Sequence, residues 1–278
     1  MVINDLKKEL SSQLGGRDTE LLISGLLKLT VTEYALGGKK NVSENDCNKI
    51  LGAAKRIKNG EPLQYAVGTT EFMSLPFFVS PAVLIPRPDT ETLVEKAISE
   101  IGDRSLSVLD IGTGSGCVAV SISVYCKNAE VTAVDISEAA LETAGRNAAA
   151  NRTEIKLIKC DILNGIPSGS YDVIVSNPPY IETEAIKNLD RNVRDFEPHT
   201  ALDGGADGLD FYRRIAAAAP HMLKREGFIA LETGYDQART VAKLLEESFT
   251  DIEITKDLCG VERVVSGRLK NSEIISGV

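Results

Sequence analysis

A glycine-rich segment follows a short apolar run and could form a ligand-binding loop. The run Val108-Leu109-Asp110-Ile111 leads directly into Gly112-Thr113-Gly114-Ser115-Gly116, and a helix-like segment follows. Glycines are needed where a tight turn brings the backbone close to a ligand at the amino-terminal end of a helix. We therefore predict that these five residues line a ligand site, with an ordinary glycine-rich turn as the alternative interpretation.

Acidic residues end the next two apolar runs. Asp135 lies about 20 residues after the glycine loop, the distance at which a strand-end carboxylate accepts hydrogen bonds from ribose hydroxyls. Asp161, followed by Ile162, could accept a hydrogen bond from an adenine amino group or could simply be solvated. The dinucleotide pattern G-x-G-x-x-G fails because Cys117 replaces its last glycine.

Together, the DIGTGSG loop, Asp135 and Cys160-Asp161 resemble the cofactor site of class I S-adenosylmethionine-dependent methyltransferases. That family binds a nucleoside sulfonium without a pyrophosphate, which explains the departure from the dinucleotide pattern. The resemblance implies S-adenosyl-L-methionine as cofactor, S-adenosyl-L-homocysteine as product, and no metal. It also implies cofactor contacts from the loop Gly112 to Gly116, from Asp135 and from Asp161-Ile162, although many members have an aromatic residue where this chain has Ile162.

The sequence Asn177-Pro178-Pro179-Tyr180 follows the fourth apolar run. Its prolines fix the backbone and remove two N–H donors. An amide or amino nitrogen is a poor methyl acceptor, because its lone pair is delocalised, so it must be held by rigid hydrogen-bond acceptors. We predict that the Asn177 side-chain oxygen and the Pro178 carbonyl accept its N–H groups and that Tyr180 lies under the planar group. Pro179 is a further predicted substrate contact, and Asn177 also borders the cofactor.

The NPPY sequence is shared by methyltransferases of adenine amino groups and of glutamine amides. Further segments resemble only the second group, the bacterial peptide chain release factor glutamine methyltransferases of the HemK type. These segments are Pro62 to Gly68 with Glu71-Phe72, Ile85 to Glu91, Phe196 to Pro198, Ala201 to Gly205 and Asp207 to Leu209. The resemblance implies that the substrate is the glutamine of the Gly-Gly-Gln motif in class I release factors, which becomes N(5)-methylglutamine.

Three other functions stay open at this point. They are glutamine methylation of a ribosomal protein, adenine methylation of nucleic acid, and cofactor binding without turnover. Arg87 and Glu197 lie in the matching segments, but charged loop residues more often serve hinges or face solvent. We therefore rank them below the other site candidates, and whether they take part in the site stays open. His199 and His221 belong to no motif and are interpreted as structural.

The elements that would position these residues alternate along the chain from residue 91 onward. Strand candidates are Ser105 to Gly112, Glu130 to Ile136, Glu154 to Asp161, Tyr171 to Ser176, Gly227 to Thr233, Asp251 to Lys256 and Arg263 to Leu269, with helical candidates at Glu138 to Asn151, Leu209 to Lys224 and Asp236 to Ser248. Continuous apolar strands with helices between them predict an α/β fold with a mostly parallel sheet. The short link between the last two strands predicts an antiparallel pair. The resemblance implies a Rossmann-like sheet of seven strands.

The first part of the chain has a helical pattern, with Leu6, Leu10 and Leu14 every four residues and Leu21, Leu22, Leu26 and Leu29 in a similar register. We predict a small helical domain at residues 1–75, which by resemblance recognises the protein substrate. A β-hairpin linker is expected at residues 76–90, and the methyltransferase domain at residues 91–278.

The charge distribution disfavours a nucleic-acid substrate. Residues 1–90 carry 11 Lys and Arg against 10 Asp and Glu, whereas residues 91–278 carry 20 against 30. The predicted catalytic domain would therefore be repelled by polyanions. With no apolar segment of membrane-spanning length and five scattered cysteines interpreted as reduced core residues, we expect a cytoplasmic protein without membrane or metal partners.

Overall fold

The computed structural model describes residues 1–271 of the chain. It begins with helices α1 (Ile3–Leu14), α2 (Gly16–Leu27), α3 (Val31–Leu36), α4 (Glu44–Lys58) and α5 (Leu63–Val67). Leu6, Leu10, Leu22 and Ile50 are buried together in one apolar core. Leu21 is 45% exposed instead, contrary to the predicted register, because neighbouring helical residues point about 100° apart.

A short antiparallel hairpin follows, formed by β1 (Thr69–Phe72) and β2 (Leu75–Phe78). The rings of Phe72 and Phe77 meet edge to face, with centroids 6.0 Å apart, and both side chains are buried. The hairpin thus lies mostly ahead of the segment 76–90 that the sequence assigned to it. It packs against the core beneath the large sheet, and the division of the chain into three domains stays a prediction.

The remaining elements alternate as predicted. They are α6 (Glu91–Ile101), β3 (Ser107–Ile111), α7 (Cys117–Tyr125), β4 (Glu130–Asp135), α8 (Glu138–Ala150), β5 (Lys156–Lys159), β6 (Tyr171–Ser176), α9 (Arg191–Arg194), α10 (Asp210–Met222), β7 (Leu223–Glu232), α11 (Ala238–Leu245), β8 (Phe249–Lys256) and β9 (Glu262–Leu269). Short 3-10 turns occur at Pro88–Thr90, Ala185–Asn188 and His199–Ala201. Strand β7 begins four residues before the predicted Gly227, because exposed charged residues at its start hid the strand pattern.

Strands β3 to β9 form one sheet in the order β5-β4-β3-β6-β7-β9-β8. The first five strands of that order are parallel, and β9 runs antiparallel to both of its neighbours. This confirms the predicted seven-stranded, mostly parallel α/β sheet and its antiparallel end. Helices α6, α7 and α8 contribute buried residues to the core on one face, whereas α10 and α11 do so on the other.

Chain order reverses between β3 and β6, which are neighbours in the sheet. Open α/β sheets bind ligands at such a switch point, in the crevice beyond the carboxyl ends of the strands. Both the glycine loop, after β3, and the NPPY residues, after β6, lie at this point. The topology therefore brings together the two motifs that the sequence separates by 60 residues.

Within residues 1–271, no helix combines the length and apolar character needed to cross a membrane. All five cysteines lie in this range and are free. Cys47 and Cys126 are buried, whereas Cys259 is exposed in the turn between β8 and β9. The interpretation as a core residue is therefore wrong for Cys259, because a turn offers no apolar surroundings.

Asn147 of α8 joins the hairpin to the glycine loop. Its Oδ1 accepts from the Phe78 N–H at 2.7 Å, and its Nδ2 donates to the carbonyls of Phe78 and Ser115 at 3.0 and 2.8 Å. The side chain is fully buried. Buried backbone groups need hydrogen-bond partners, and the Asn147 side chain supplies them to both Phe78 and Ser115. This one side chain therefore fixes the hairpin and the glycine loop.

We predict that Asn147→Ala lowers the free energy of unfolding by about 3 kcal/mol, because it leaves buried backbone groups unpaired. Asn151→Ala, one turn later, is the matched control. Its Nδ2 donates to the Pro76 carbonyl at 2.9 Å from a half-exposed position, so we expect a loss of about 1 kcal/mol. Urea denaturation measures both, and equal losses would contradict the role given to Asn147.

Candidate active site

The glycine loop is tied to the end of β4. Gly112 and Thr113 both donate their N–H groups to the Val134 carbonyl, at 2.9 and 3.0 Å. Gly112 and Gly114 have φ values of +73° and +53°, a region that glycine enters without steric cost. The loop conformation is therefore set by its glycines and by the neighbouring strand.

Asp135 has a second role that the sequence did not reveal. Its Oδ2 accepts from the Gly114 N–H and its Oδ1 from the Ser137 N–H, both at 2.9 Å. Because a carboxylate oxygen can accept more than one hydrogen bond, both oxygens can still bind a ligand. Asp135 thus shapes the loop and also borders the cavity beside it.

This cavity has a volume of about 340 Å³, within the usual range for small-molecule sites. Of the predicted cofactor contacts, Gly112, Gly114, Asp135, Asp161, Ile162 and Asn177 line it. A Cβ atom on Gly112 or Gly114 would meet no protein atom within 4 Å. At these two positions the loop therefore presents bare backbone to open space.

The other loop residues lie differently. Thr113 and Ser115 are buried and line a smaller adjoining cavity of about 40 Å³. Thr113 Oγ1 donates to Asp110 Oδ2 at 2.7 Å, and burial raises the pKa of Asp110 to about 7. Gly116 lines neither cavity, because it faces α8, where a Cβ would lie 2.8 Å from the Cβ of Ala144. The close packing of this position against α8 explains why glycine is needed here.

Asp161 and Ile162 form one wall of the large cavity. Asp161 Oδ1 accepts from the Leu163 N–H at 3.0 Å, and its Oδ2 accepts from Asn164 Nδ2 at 2.6 Å. Ile162 is only 6% exposed and belongs to the core of the sheet. This wall therefore offers an aliphatic surface flanked by a carboxylate that also stabilises its own turn.

The NPPY residues meet the same cavity from the opposite side. Asn177 and Pro179 line it, whereas Pro178 is buried and Tyr180 is half-buried outside its wall. Asn177 Nδ2 donates to Thr90 Oγ1 at 3.1 Å. Burial raises the pKa of Tyr180 to about 12, so this phenol is neutral at physiological pH.

Two residues near Asn177 were missed at the sequence level. Thr90 is 2% exposed and Glu232, at the end of β7, is 1% exposed. Burial raises the pKa of Glu232 to about 7, while polar contacts with Thr90 and Asn177 and the charge of Arg263 oppose that rise. Glu232, like Asp135, is an acidic residue at the end of an apolar strand, and this pattern could have identified it. Thr90 lies in Ile85 to Glu91, one of the segments that resemble release factor glutamine methyltransferases.

Arg263 of β9 anchors the turn that carries Thr90. Its Nε donates to Asp257 Oδ2 at 3.1 Å and its Nη1 to the Thr233 carbonyl at 3.2 Å. Its Nη2 lies 3.3 Å from Asp89 Oδ2. The guanidinium thus joins the turn Pro88–Thr90 to the edge of the sheet.

Arg87 and Glu197, which we ranked below the other site candidates, form an ion pair of 2.5 Å between Nη2 and Oε1. Glu197 is 6% exposed, and burial raises its pKa while Arg87 opposes the rise. The pair connects the segment before α6 to the loop after β6, and Arg87 lines the smaller cavity. Of the two interpretations, a solvent-facing charge is wrong for Glu197, and a hinge stays a prediction.

Both histidines are exposed, and their interpretation as structural stays a prediction. His199 borders the large cavity with a side chain that is 63% exposed, and its Nδ1 lies 3.8 Å from Asp203 Oδ2. His221 is exposed near the end of α10. Neither ring is a packed core residue.

Two family models match the chain. The PrmC N-terminal domain matches residues 3–68, and the methyltransferase small domain matches residues 88–193. Among solved structures, a methyltransferase from Pyrococcus furiosus has a TM-score of 0.54 at 21% identity. That match covers 82% of this chain and 99% of the other, and it shows the shared fold.

Curated relatives match over nearly the whole chain. A release factor glutamine methyltransferase from Geobacter sulfurreducens is 40% identical, covering 91% of this chain and 89% of the relative. One of the same name from Clostridium acetobutylicum is 39% identical, covering 93% of each. One from Koribacter versatilis is 44% identical over 79% of each. With this similarity along both parts of the chain, the protein belongs to the release factor glutamine methyltransferase family.

Proposed function

We propose that the protein transfers a methyl group from S-adenosyl-L-methionine to the side-chain amide nitrogen of a glutamine in class I peptide chain release factors. The glutamine is that of the Gly-Gly-Gln motif, and the product is N(5)-methylglutamine. One observation carries the proposal: Asn177 lies on the wall of the cavity that the glycine loop and Asp135 border. The names of the curated relatives support the substrate.

The residues around the cavity fit S-adenosyl-L-methionine. Gly112 and Gly114 leave open space beside the loop, Asp135 can accept from ribose hydroxyls, and Ile162 provides an apolar surface for the adenine. When bound, the cofactor supplies a methyl group on a positively charged sulfur. Asp161 borders the same wall and is proposed to accept from the adenine amino group.

Asn177 and Pro178 would hold the glutamine amide. Asn177 Oδ1 and the Pro178 carbonyl each accept one N–H of the amide, so that the nitrogen lone pair is directed at the methyl group. Rigid positioning of this kind can supply much of a rate enhancement, because the acceptor no longer has to be ordered during the reaction. Pro179 borders the cavity and limits the positions that the amide can take.

Deprotonation is not needed before transfer. The amide nitrogen attacks neutral and loses a proton afterwards. Tyr180 stays protonated because burial raises its pKa to about 12, so we propose that its ring provides a surface under the planar amide. Its carbonyl accepts from Gln237 Nε2 at 2.9 Å, which fixes the end of the NPPY turn.

The N-terminal helices are proposed to contact the release factor. Residues 1–75 would form this recognition domain, residues 76–90 would connect it, and residues 91–278 would catalyse the transfer. Val31 and Leu36 of α3 support the idea, since they are 75% and 82% exposed. The match of residues 3–68 to the PrmC N-terminal domain supports it as well.

A labelling experiment tests the proposed function. The protein is incubated with methyl-labelled S-adenosyl-L-methionine and a class I release factor, either unchanged or with the Gly-Gly-Gln glutamine replaced by alanine. We expect label only on the unchanged release factor. Label that persists on the replaced factor would contradict the proposal, as would equal labelling of ribosomal proteins or nucleic acid in parallel reactions.

Substitutions on the two sides of the cavity should have different effects on turnover and on cofactor affinity. We predict that Asn177→Ala lowers kcat by about 10² or more with nearly unchanged cofactor affinity, because it removes a polar partner of the reacting amide. Asp135→Ala should raise the Kd of the cofactor at least about tenfold, because it removes charge-assisted hydrogen bonds. Calorimetry and single-turnover labelling measure the two effects. Equal loss of cofactor affinity in both variants would rule out this division of roles.

A further inference from the structure

Glu232 is a buried carboxylate that lies outside the proposed cofactor and glutamine contacts. It is 1% exposed at the carboxyl end of β7, and among the described residues its Oε2 has no hydrogen-bond partner. Leaving a buried polar group without a partner costs free energy, and a charged group costs more. A carboxylate at such a costly position indicates a role in the adjoining site.

Thr90 connects this carboxylate to the predicted acceptor site. Its Oγ1 accepts from Asn177 Nδ2 at 3.1 Å. A hydroxyl that accepts one hydrogen bond can donate another. Ser176 of β6 pairs with Leu231 of β7, so Glu232 lies beside Asn177, and hydrogen bonding with Thr90 and Asn177 opposes the rise in the pKa of Glu232. The three side chains thus form a chain of donors and acceptors beneath the NPPY turn.

The two ends of an asparagine amide have nearly the same shape but opposite hydrogen-bonding character. An ionised carboxylate only accepts, so it requires donors from Thr90 and Asn177. We propose that Glu232 is a positioning residue that holds the Asn177 amide with its Nδ2 inward and its Oδ1 toward the methyl acceptor. This inference deepens the proposed function and rests on it for its kinetic consequence.

A purely structural role as partner of Arg263 explains less. The guanidinium already has Asp257, the Thr233 carbonyl and Asp89 as partners, and it reaches Glu232 only through its charge. The backbone carbonyl of Glu232 accepts from Tyr212 at 2.9 Å, but that bond does not need the carboxylate. The side chain lies instead on the Asn177 side of β7, where hydrogen bonding with Thr90 and Asn177 opposes the rise in its pKa.

The orientation should depend on pH. A protonated Glu232 can donate to Thr90 or Asn177, which removes the preference for one end of the amide. The charged and titratable groups that interact with Glu232 are Asp89, Arg263, Tyr180, Tyr212 and Cys117. Burial raises the pKa of Tyr180 and Cys117 to about 12 and that of Tyr212 well above its ordinary value, so these three stay neutral. Asp110 of β3, whose charge acts on Cys117, also has its pKa raised to about 7.

The test combines NMR of the cofactor-free protein with kinetics of Glu232→Gln. In the wild type, the Asn177 side-chain amide resonance, assigned through Asn177→Asp, should titrate with a midpoint of about 7. In Glu232→Gln that titration should disappear. At pH 8 the variant should lose about tenfold or more in kcat with unchanged KM for the cofactor, and the acid limb of the wild-type pH profile should be reduced.

Two controls separate this effect from damage to the fold. Glu232→Gln should have a higher Tm than the wild type at pH 8, because a carboxyl whose folded pKa exceeds its unfolded value destabilises the fold once it ionises. Asp172→Asn is the matched control at the opposite end of β6, where Asp172 pairs with Lys224 at 2.7 Å. It should keep the kcat and the pH profile of the wild type.

Each outcome bears on a different claim. An Asn177 resonance that titrates identically in wild type and Glu232→Gln would overturn the positioning role, as would an unchanged kcat in the variant. A wild type whose Asn177 amide titrates as predicted but which never labels a release factor would refute the proposed function and leave the positioning role supported.

Discussion

The hydrogen bond between Asn177 and Thr90 holds together the two halves of the candidate site. It joins the turn before α6 to the loop after β6, segments that are 87 residues apart in the chain. Arg263 supports one side by binding Asp89, and the rigid prolines support the other. Asn177 follows β6 and Arg263 belongs to β9, so the pairing of β6, β7 and β9 in one sheet brings the two supports together. The chemistry of the site therefore depends on the completed sheet.

At the carboxyl ends of the parallel strands, carboxyl groups that border the candidate site lower the stability of the fold. Asp110 and Glu232 are both 1% exposed carboxyls, and burial raises the pKa of each to about 7. Carboxyls kept in such surroundings cost folding free energy when they ionise. The apolar cores on both faces of the sheet supply the offsetting stability. Asn147 adds to it by fixing the hairpin and the glycine loop to one helix.

Much of the fold could be predicted from the sequence because its strands are short apolar runs that end in recognisable ligand residues. Asp135 and Asn177 were found in this way, since Asp135 ends β4 and Asn177 directly follows β6. Glu232 was missed although it also ends its strand, because its burial and its place beside Asn177 exist only in the folded chain. Thr90 was missed because only folding brings it to Asn177. The second role of Asp135, as the partner of the Gly114 N–H, was also hidden, because pairing of β3 with β4 creates that contact. The functions of these residues and the three-domain division stay predictions.

The central claim is that Asn177 and Pro178 accept the N–H groups of a glutamine amide beside the cofactor cavity. A crystal structure of the protein with S-adenosyl-L-homocysteine and a peptide containing Gly-Gly-Gln tests it most directly. The account predicts the glutamine nitrogen about 3 Å from both Asn177 Oδ1 and the Pro178 carbonyl oxygen. A glutamine nitrogen bound to other groups, or Asn177 with its Nδ2 facing the peptide, would contradict it.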